Sequence, residues 1–304
     1  MKGFTMTETK DLRRIYGDKI KIYFFSVLAL AALSALLRVV TLVFDYDHIV
    51  GYYDGGFLVT AMNALCVLGC AWGLSVFFLL PKNSPIEDAR PHSNMIALYF
   101  CAFVFLADAL YSFAGMISSE EFFGAFNDSF ATQTDKVMVV MSILGAFASL
   151  ATAVCLFRRG FGKPAKSIDV ALGFLTLIRM LSGVFSVYFD MEVPMNSPHK
   201  ILIEWALIIS MVFILHENRF FAPVTKRPRA YLAFGLVAML LTASAGVGGL
   251  FSYFSGLLVQ GRFCVESLIC LTMFVYISAS IHSYVKQFAP ENAADIAVPD
   301  EIDE

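Results

Sequence analysis

The chain has 304 residues, 58% hydrophobic and 15% charged, with 30 Phe and a formal net charge of −3. A mean hydropathy of +0.71 lies outside the range of soluble globular domains and identifies a membrane protein. Within this sequence no stretch remains for a soluble unit that hydrolyses ATP, transfers phosphate or binds nucleic acid, and the net charge mostly reflects the acidic tail "PENAADIAVPDEIDE".

In chain order, a basic segment (residues 1–20) precedes eight apolar windows, near 21–44, 57–80, 94–117, 136–157, 169–189, 199–216, 230–254 and 263–285. A helix of about 20 residues crosses a hydrocarbon core of roughly 30 Å, so the fold class is an all-α polytopic membrane protein with eight transmembrane helices. The first window resembles a secretory signal in following basic residues, but it is long and lacks a small-residue cleavage site, so it is expected to remain in the mature chain. Of the 22 basic residues, 17 fall in the N-terminal segment, the loops 81–93, 158–167 and 217–229, and the C-terminal stretch. That asymmetry predicts a plasma-membrane protein with both termini in the cytoplasm.

Residues 38–44, "RVVTLVF", lie over residues 179–185, "RMLSGVF", and each segment runs into an acidic turn, "DYD" or "YFDME". Looser matches at nearly the same offset relate the second window to the sixth and the third to the seventh. The expected organisation is a four-helix unit (21–157) duplicated in parallel (168–286), joined by the basic linker 158–167 and followed by the acidic cytoplasmic tail 287–304, expected to be disordered. The tail offers a protein partner an acidic docking segment.

Each helix carries a polar stripe at steps of three and four. On the first these are Ala31, Ser34, Arg38, Thr41 and Asp45; on the fifth, Thr176, Arg179, Gly183, Ser186 and Asp190. The second shows Thr60, Asn63, Cys66, Cys70 and Gly73, the third Asp108, Ser112 and Gly115, the fourth Ser142, Gly145, Ser149 and Thr152. Small residues on such stripes let membrane helices approach closely. Charges need a different explanation, because an Arg at mid-membrane costs about 3 kcal/mol on even the lowest scales.

Arg38, Arg179, Asp108, Glu204 and Asn63 are therefore the candidate ligand-binding residues. In one arrangement Arg38 pairs with Asp108 and Arg179 with Glu204, locking helices in register. In the other, the two guanidiniums share an outward-facing vestibule and hold a carboxylate or phosphate by bidentate hydrogen bonds, with Asn63, Asp108 and Glu204 lining it. Glu217 and Arg219 of "HENRF" fall at a helix end, where charged caps are ordinary. Ser197-Pro198 reads as an N-cap and first helical position that start the sixth helix.

The six cysteines all fall inside the windows, which argues against a disulfide framework. Asn127-Asp128-Ser129 is a glycosylation sequon in an outer loop. The five histidines are scattered without metal-ligand spacing, and the sequence holds no zinc-helix, nucleophile-elbow or phosphate-loop motif, so no metal and no cofactor is expected. Three functional classes follow: a secondary transporter or carrier of an anionic or amphiphilic small molecule, a non-transporting scaffold, assembly factor or sensor working through a protein partner, or an intramembrane lipid-modifying enzyme.

Overall fold

The computed structural model describes residues 6–47, 52–81, 94–118, 133–161, 167–190, 197–221, 226–257 and 261–288. The chain forms α1 (Met6–Phe44), the antiparallel strand pair β1 (Tyr46–Asp47) and β2 (Tyr52–Tyr53), α2 (Phe57–Leu74), α3 (Val76–Leu79), α4 (Met95–Ser118), α5 (Gln133–Gly160), α6 (Ser167–Tyr188), α7 (Pro198–Asn218), α8 (Pro228–Phe254) and α9 (Gly261–Lys286). Eight spans are long and apolar enough to cross a membrane, α2 and α3 together supplying one of them. Their limits agree with the hydropathy windows to within a few residues, except that the first span begins at Arg14. The acidic tail beyond Phe288, the sequon Asn127-Asp128-Ser129 and the middle of the basic linker lie outside the described residues.

The first and last spans meet end to end, Tyr16 packing on Phe288 with ring centroids 5.1 Å apart. This end of the bundle, which holds the start of α1 and the close of α9, is called the terminal end, and the other, where the β-pair lies, the hairpin end. Between α2 and α3 the helix breaks at Ser75, whose Oγ donates back to the Trp72 carbonyl at 2.6 Å. Such back-bonding bends helices. The bend is pinned to α1, since Tyr23 Oη lies 2.9 Å from Ser75 Oγ and Trp72 Nε1 donates to Ser26 Oγ at 2.7 Å.

Helix α8 is the axis of the fold: 83% of its apolar window is buried, against 22% for the α2–α3 span. It packs against α1, α2, α3, α7 and α9. Its sequence is apolar or small all round, the pattern of a helix with no lipid-facing side, and glycines set the spacing. A Cβ on Gly246 would stand 2.7 Å from the backbone nitrogen of Leu271 on α9, and one on Gly69 of α2 would stand 2.7 Å from Leu240 of α8. Backbones brought this close gain dispersion contacts, which drive helix association where no water remains to be expelled.

The other five spans arrange themselves beside this axis as a closed ring. Helix α5 packs on both α4 and α6, α6 on α7, and α9 on α4, α6 and α7. The ring therefore mixes helices from both expected halves of the chain, whereas α1 and α2 lie outside it, both against α8 and α1 also along α9.

Replacing Gly246 with Val forces α8 and α9 apart at a backbone contact and is expected to cost about 1–3 kcal/mol. Gly115→Ala, where nothing lies within 4 Å of the added carbon, should leave stability unchanged. Thermal denaturation of the two variants in detergent, side by side, checks the pair.

Candidate functional site

The two buried arginines have very different surroundings. Arg179, 4% exposed, sits inside the five-helix ring. Its Nε and Nη2 donate to Asp108 Oδ2 and Oδ1 at 2.6 and 3.0 Å, and its Nη1 and Nη2 to Glu266 Oε2 and Oε1 at 3.2 and 3.1 Å. Asp108 also accepts a hydrogen bond from Ser149 on α5. A planar fork held bidentately on two sides is the geometry that guanidinium offers and ammonium cannot. Gly183, one turn along α6, makes room for it: a Cβ there would lie 2.5 Å from Glu266 Oε2 and 3.0 Å from both Arg179 Nη1 and Leu207.

Arg38, 3% exposed, has no carboxylate partner among the described residues. Its Nη1 points to the Met62 sulfur at 3.7 Å, its Cζ lies 5.1 Å from the centre of the Tyr53 ring, and its Nε and Nη2 are buried without a hydrogen-bond partner. Gly248 of α8 admits its stem, for a Cβ there would stand 2.6 Å from Arg38 Cγ. Cation–π and sulfur contacts offset only part of the cost, since a desolvated cation–π pair contributes about 2 kcal/mol against at least 3 for the buried charge.

The β-pair and the start of α7 pack around the Arg38 head group. Tyr46 and Tyr53 face each other across the strands with ring centroids 5.3 Å apart. The His199 ring packs edge-on to Tyr46 at 5.0 Å. Burial pushes both phenols above their ordinary range, opposed by the nearby Arg38 charge, so both stay protonated and can donate. Ser197 and His199 are 0% and 2% exposed. Tyr53 Oη lies toward Thr41 and Ser197 Oγ toward Tyr46, but neither pair makes a well-formed hydrogen bond, and His199 Nε2 is buried without a partner among the described residues. Poorly satisfied buried polar atoms are rare in folded proteins, and here they stand beside a buried cation.

A third polar group occupies the ring at the terminal end. Arg159 Nη1 donates to Tyr276 Oη at 2.7 Å, Tyr276 Oη donates to Glu217 Oε2 at 2.5 Å, and Ser280 donates to Glu217 Oε1 at 3.0 Å. Arg159 also reaches Asn218 Oδ1 at 3.5 Å and lies over the Phe221 ring. Between this group and Arg179, helices α4, α5, α6, α7 and α9 all contribute to a small recess wide enough for water, with Thr152, Cys155, Thr176 and Asn218 on its wall.

The candidates read from the sequence are thus redistributed. Arg38 and Arg179 both lie on buried stripes, but their described contacts share no residue. Asp108 pairs with Arg179 rather than Arg38, and Arg179 takes Glu266 rather than Glu204. Glu204 is half-buried with Oε1 unpartnered, its nearest opposite charge being Lys200. Asn63 is exposed, because the inward face of α2 runs through Met62, Gly69 and Gly73. Glu217 is no solvated cap, being 3% exposed. Ser197-Pro198 does start α7, although the Ser197 side chain makes no capping bond.

Glu266, Tyr46, Tyr53, His199, Arg159 and Tyr276 were not singled out as site residues. The one available signal was Glu266 falling one turn past Arg262, which marks it as an acid inside an apolar span. The β-pair places the tyrosines, and short aromatic repeats such as "YY" carry little of that information.

Arg179→Gln leaves two buried carboxylates facing each other without their cation and should cost about 3–5 kcal/mol, enough to abolish folded yield. Glu266→Gln keeps one matched pair and should remain folded. Monodispersity and melting temperature in lipid nanodiscs distinguish the two.

No known protein family, curated protein or solved structure matches the chain.

Proposed function

We propose that the protein is a secondary carrier of the plasma membrane that binds an anionic or amphiphilic small molecule at Arg38. The reading is carried by one observation: among the described residues Arg38 is buried with two guanidinium nitrogens unpartnered, and His199 turns an unpartnered Nε2 to the same end of the bundle. A ligand carboxylate or phosphate supplies the missing acceptor and takes a bidentate bond from Nε and Nη2. The tyrosine and methionine walls suit an apolar body attached to that head group.

Arg179 leaves the binding role in this reading, since its fork is saturated by two acids. The excess of Lys and Arg in alternate loops supports cytoplasmic termini, which would place the Arg38 pocket in the outer half of the bilayer. A parallel duplication is supported by the equivalent buried positions of Arg38 and Thr41 on α1 and of Arg179 and Ser182 on α6. On that view one copy of the arginine became structural and the other kept an open valence.

Because Arg38 neutralises no acid, Arg38→Gln should be at least as stable as the wild type without ligand. Native mass spectrometry from nanodiscs is expected to show a retained anionic molecule on the wild type that the variant lacks. Carboxylate and phosphate amphiphiles at about 100 times their Kd should raise wild-type stability by roughly 2.7 kcal/mol and leave Arg38→Gln unmoved. Equal responses from both proteins, or none from either, sink the assignment.

A further inference from the structure

We propose that the Asp108–Arg179–Glu266 centre binds and releases one proton, exchanged with water at the terminal end through hydroxyls and the recess inside the five-helix ring. The proposal does not rest on the Arg38 pocket. It begins from charge. Two carboxylates meet one guanidinium, and the three side chains are 4–6% exposed, so with both acids ionised the centre buries an uncancelled negative charge. Burying an uncompensated ion in an apolar medium costs several kcal/mol, and a proton on either acid removes that cost.

Among the described residues no second buried cation faces the centre. Around the centre, α5 presents the Ser149 hydroxyl, α7 presents Leu207, and α9 adds Cys270 one turn past Glu266. Arg262, one turn before Glu266, is the nearest further cation, and it is exposed. Among the described residues no group of three or more His, Cys, Asp or Glu is placed to hold a metal ion. With two carboxylates on one guanidinium fork, a single proton is enough to make the centre neutral.

The route is the second, independent observation. Ser149 touches Asp108, and Thr152, one turn along α5, lies 3.0 Å from Thr176 Oγ1 and 2.8 Å from the Ala148 carbonyl. Thr152 has one proton for two acceptors, so its hydroxyl can turn between them, and as no hydrogen bond joins Ser149 to Thr152 among the described residues, a water bridges that turn of α5 in the route. Thr152 and Thr176 open on the recess, and across it stands Asn218, 1% exposed, whose Nδ2 is buried without a partner. An amide donor in that position calls for water. Beyond it Tyr276, Glu217 and Ser280 continue the chain of hydrogen bonds toward the terminal end.

In the step itself a hydronium ion at the terminal end becomes water, its proton travels by exchange along hydroxyls and water, and one O–H bond forms on the Asp108 or Glu266 carboxylate. Release reverses it. No electron moves and no other bond changes.

Infrared difference spectroscopy of the full chain in lipid bilayers, titrated in pH, reads this directly. The expected wild-type result is a single carboxylic C=O band at the frequency of an acid in apolar surroundings, growing as pH falls. Its absence overturns the proposal without any variant. Asp108→Asn and Glu266→Gln each leave Arg179 with one acid, and both should fold and lose the band; persistence of the band in either overturns the assignment. In D2O the band shifts as the proton exchanges. Thr176→Val should leave its amplitude unchanged and slow that shift roughly tenfold, whereas an unchanged rate removes the file from the proposal.

Discussion

The four hydrogen bonds that two carboxylates accept from Arg179 tie α4, α6 and α9 to one point inside the ring. Within lipid there is no hydrophobic force to hold helices in register, because the surrounding tails are as apolar as Leu. Charged groups do that work instead. Moving any of the three helices by one turn, about 5.4 Å, would separate the guanidinium from an acid and strand a charge. Fixing α4 against α9 also fixes the walls of the recess, and with them the Arg159–Tyr276–Glu217 group nearer the terminal end.

Much of this architecture is legible in the residues alone. The eight spans follow from hydropathy because lipid imposes length and apolarity on any helix that crosses it. The stripes of α1 and α6 turn inward as their three–four spacing predicts, through the buried Ala31, Ser34, Arg38 and Thr41 and through the buried Thr176, Arg179 and Gly183, with Asp45, Ser186 and Asp190 half-buried toward the hairpin end. On α2 the stripe holds through Cys66, which meets Ser34, and through Cys70 and Gly73, but fails at its start. There Thr60 and Asn63 are exposed while Met62 turns inward, its sulfur meeting Arg38 and Thr41.

Partner choice is where a single sequence stops. Asp108, Glu204 and Glu266 are all acids within apolar spans, and which of them meets Arg179 depends on how spans pack around a ring that the chain order does not reveal. Neighbours in sequence pack in most cases here, but α4 packs on α9 and α1 on α8. The tyrosine pair over Arg38 depends on a strand pairing too short to leave a periodic signal. Glu217 was hidden for a similar reason: a charged residue at a helix end is ordinary, and only packing shows that Tyr276 and Ser280 cover it.

The placement of α8 has a consequence for how the chain enters the membrane. Helices α1 and α2 are made first, yet α8, the helix that buries them, emerges roughly 180 residues after α1, about 10–40 s later at ordinary rates of synthesis. Until then Arg38 lacks Gly248 against its stem. The first two spans must therefore wait as a loosely held pair, with an unpaired cation exposed to lipid or to the insertion machinery, and tolerance of that delay is a constraint on this sequence separate from the stability of the finished bundle.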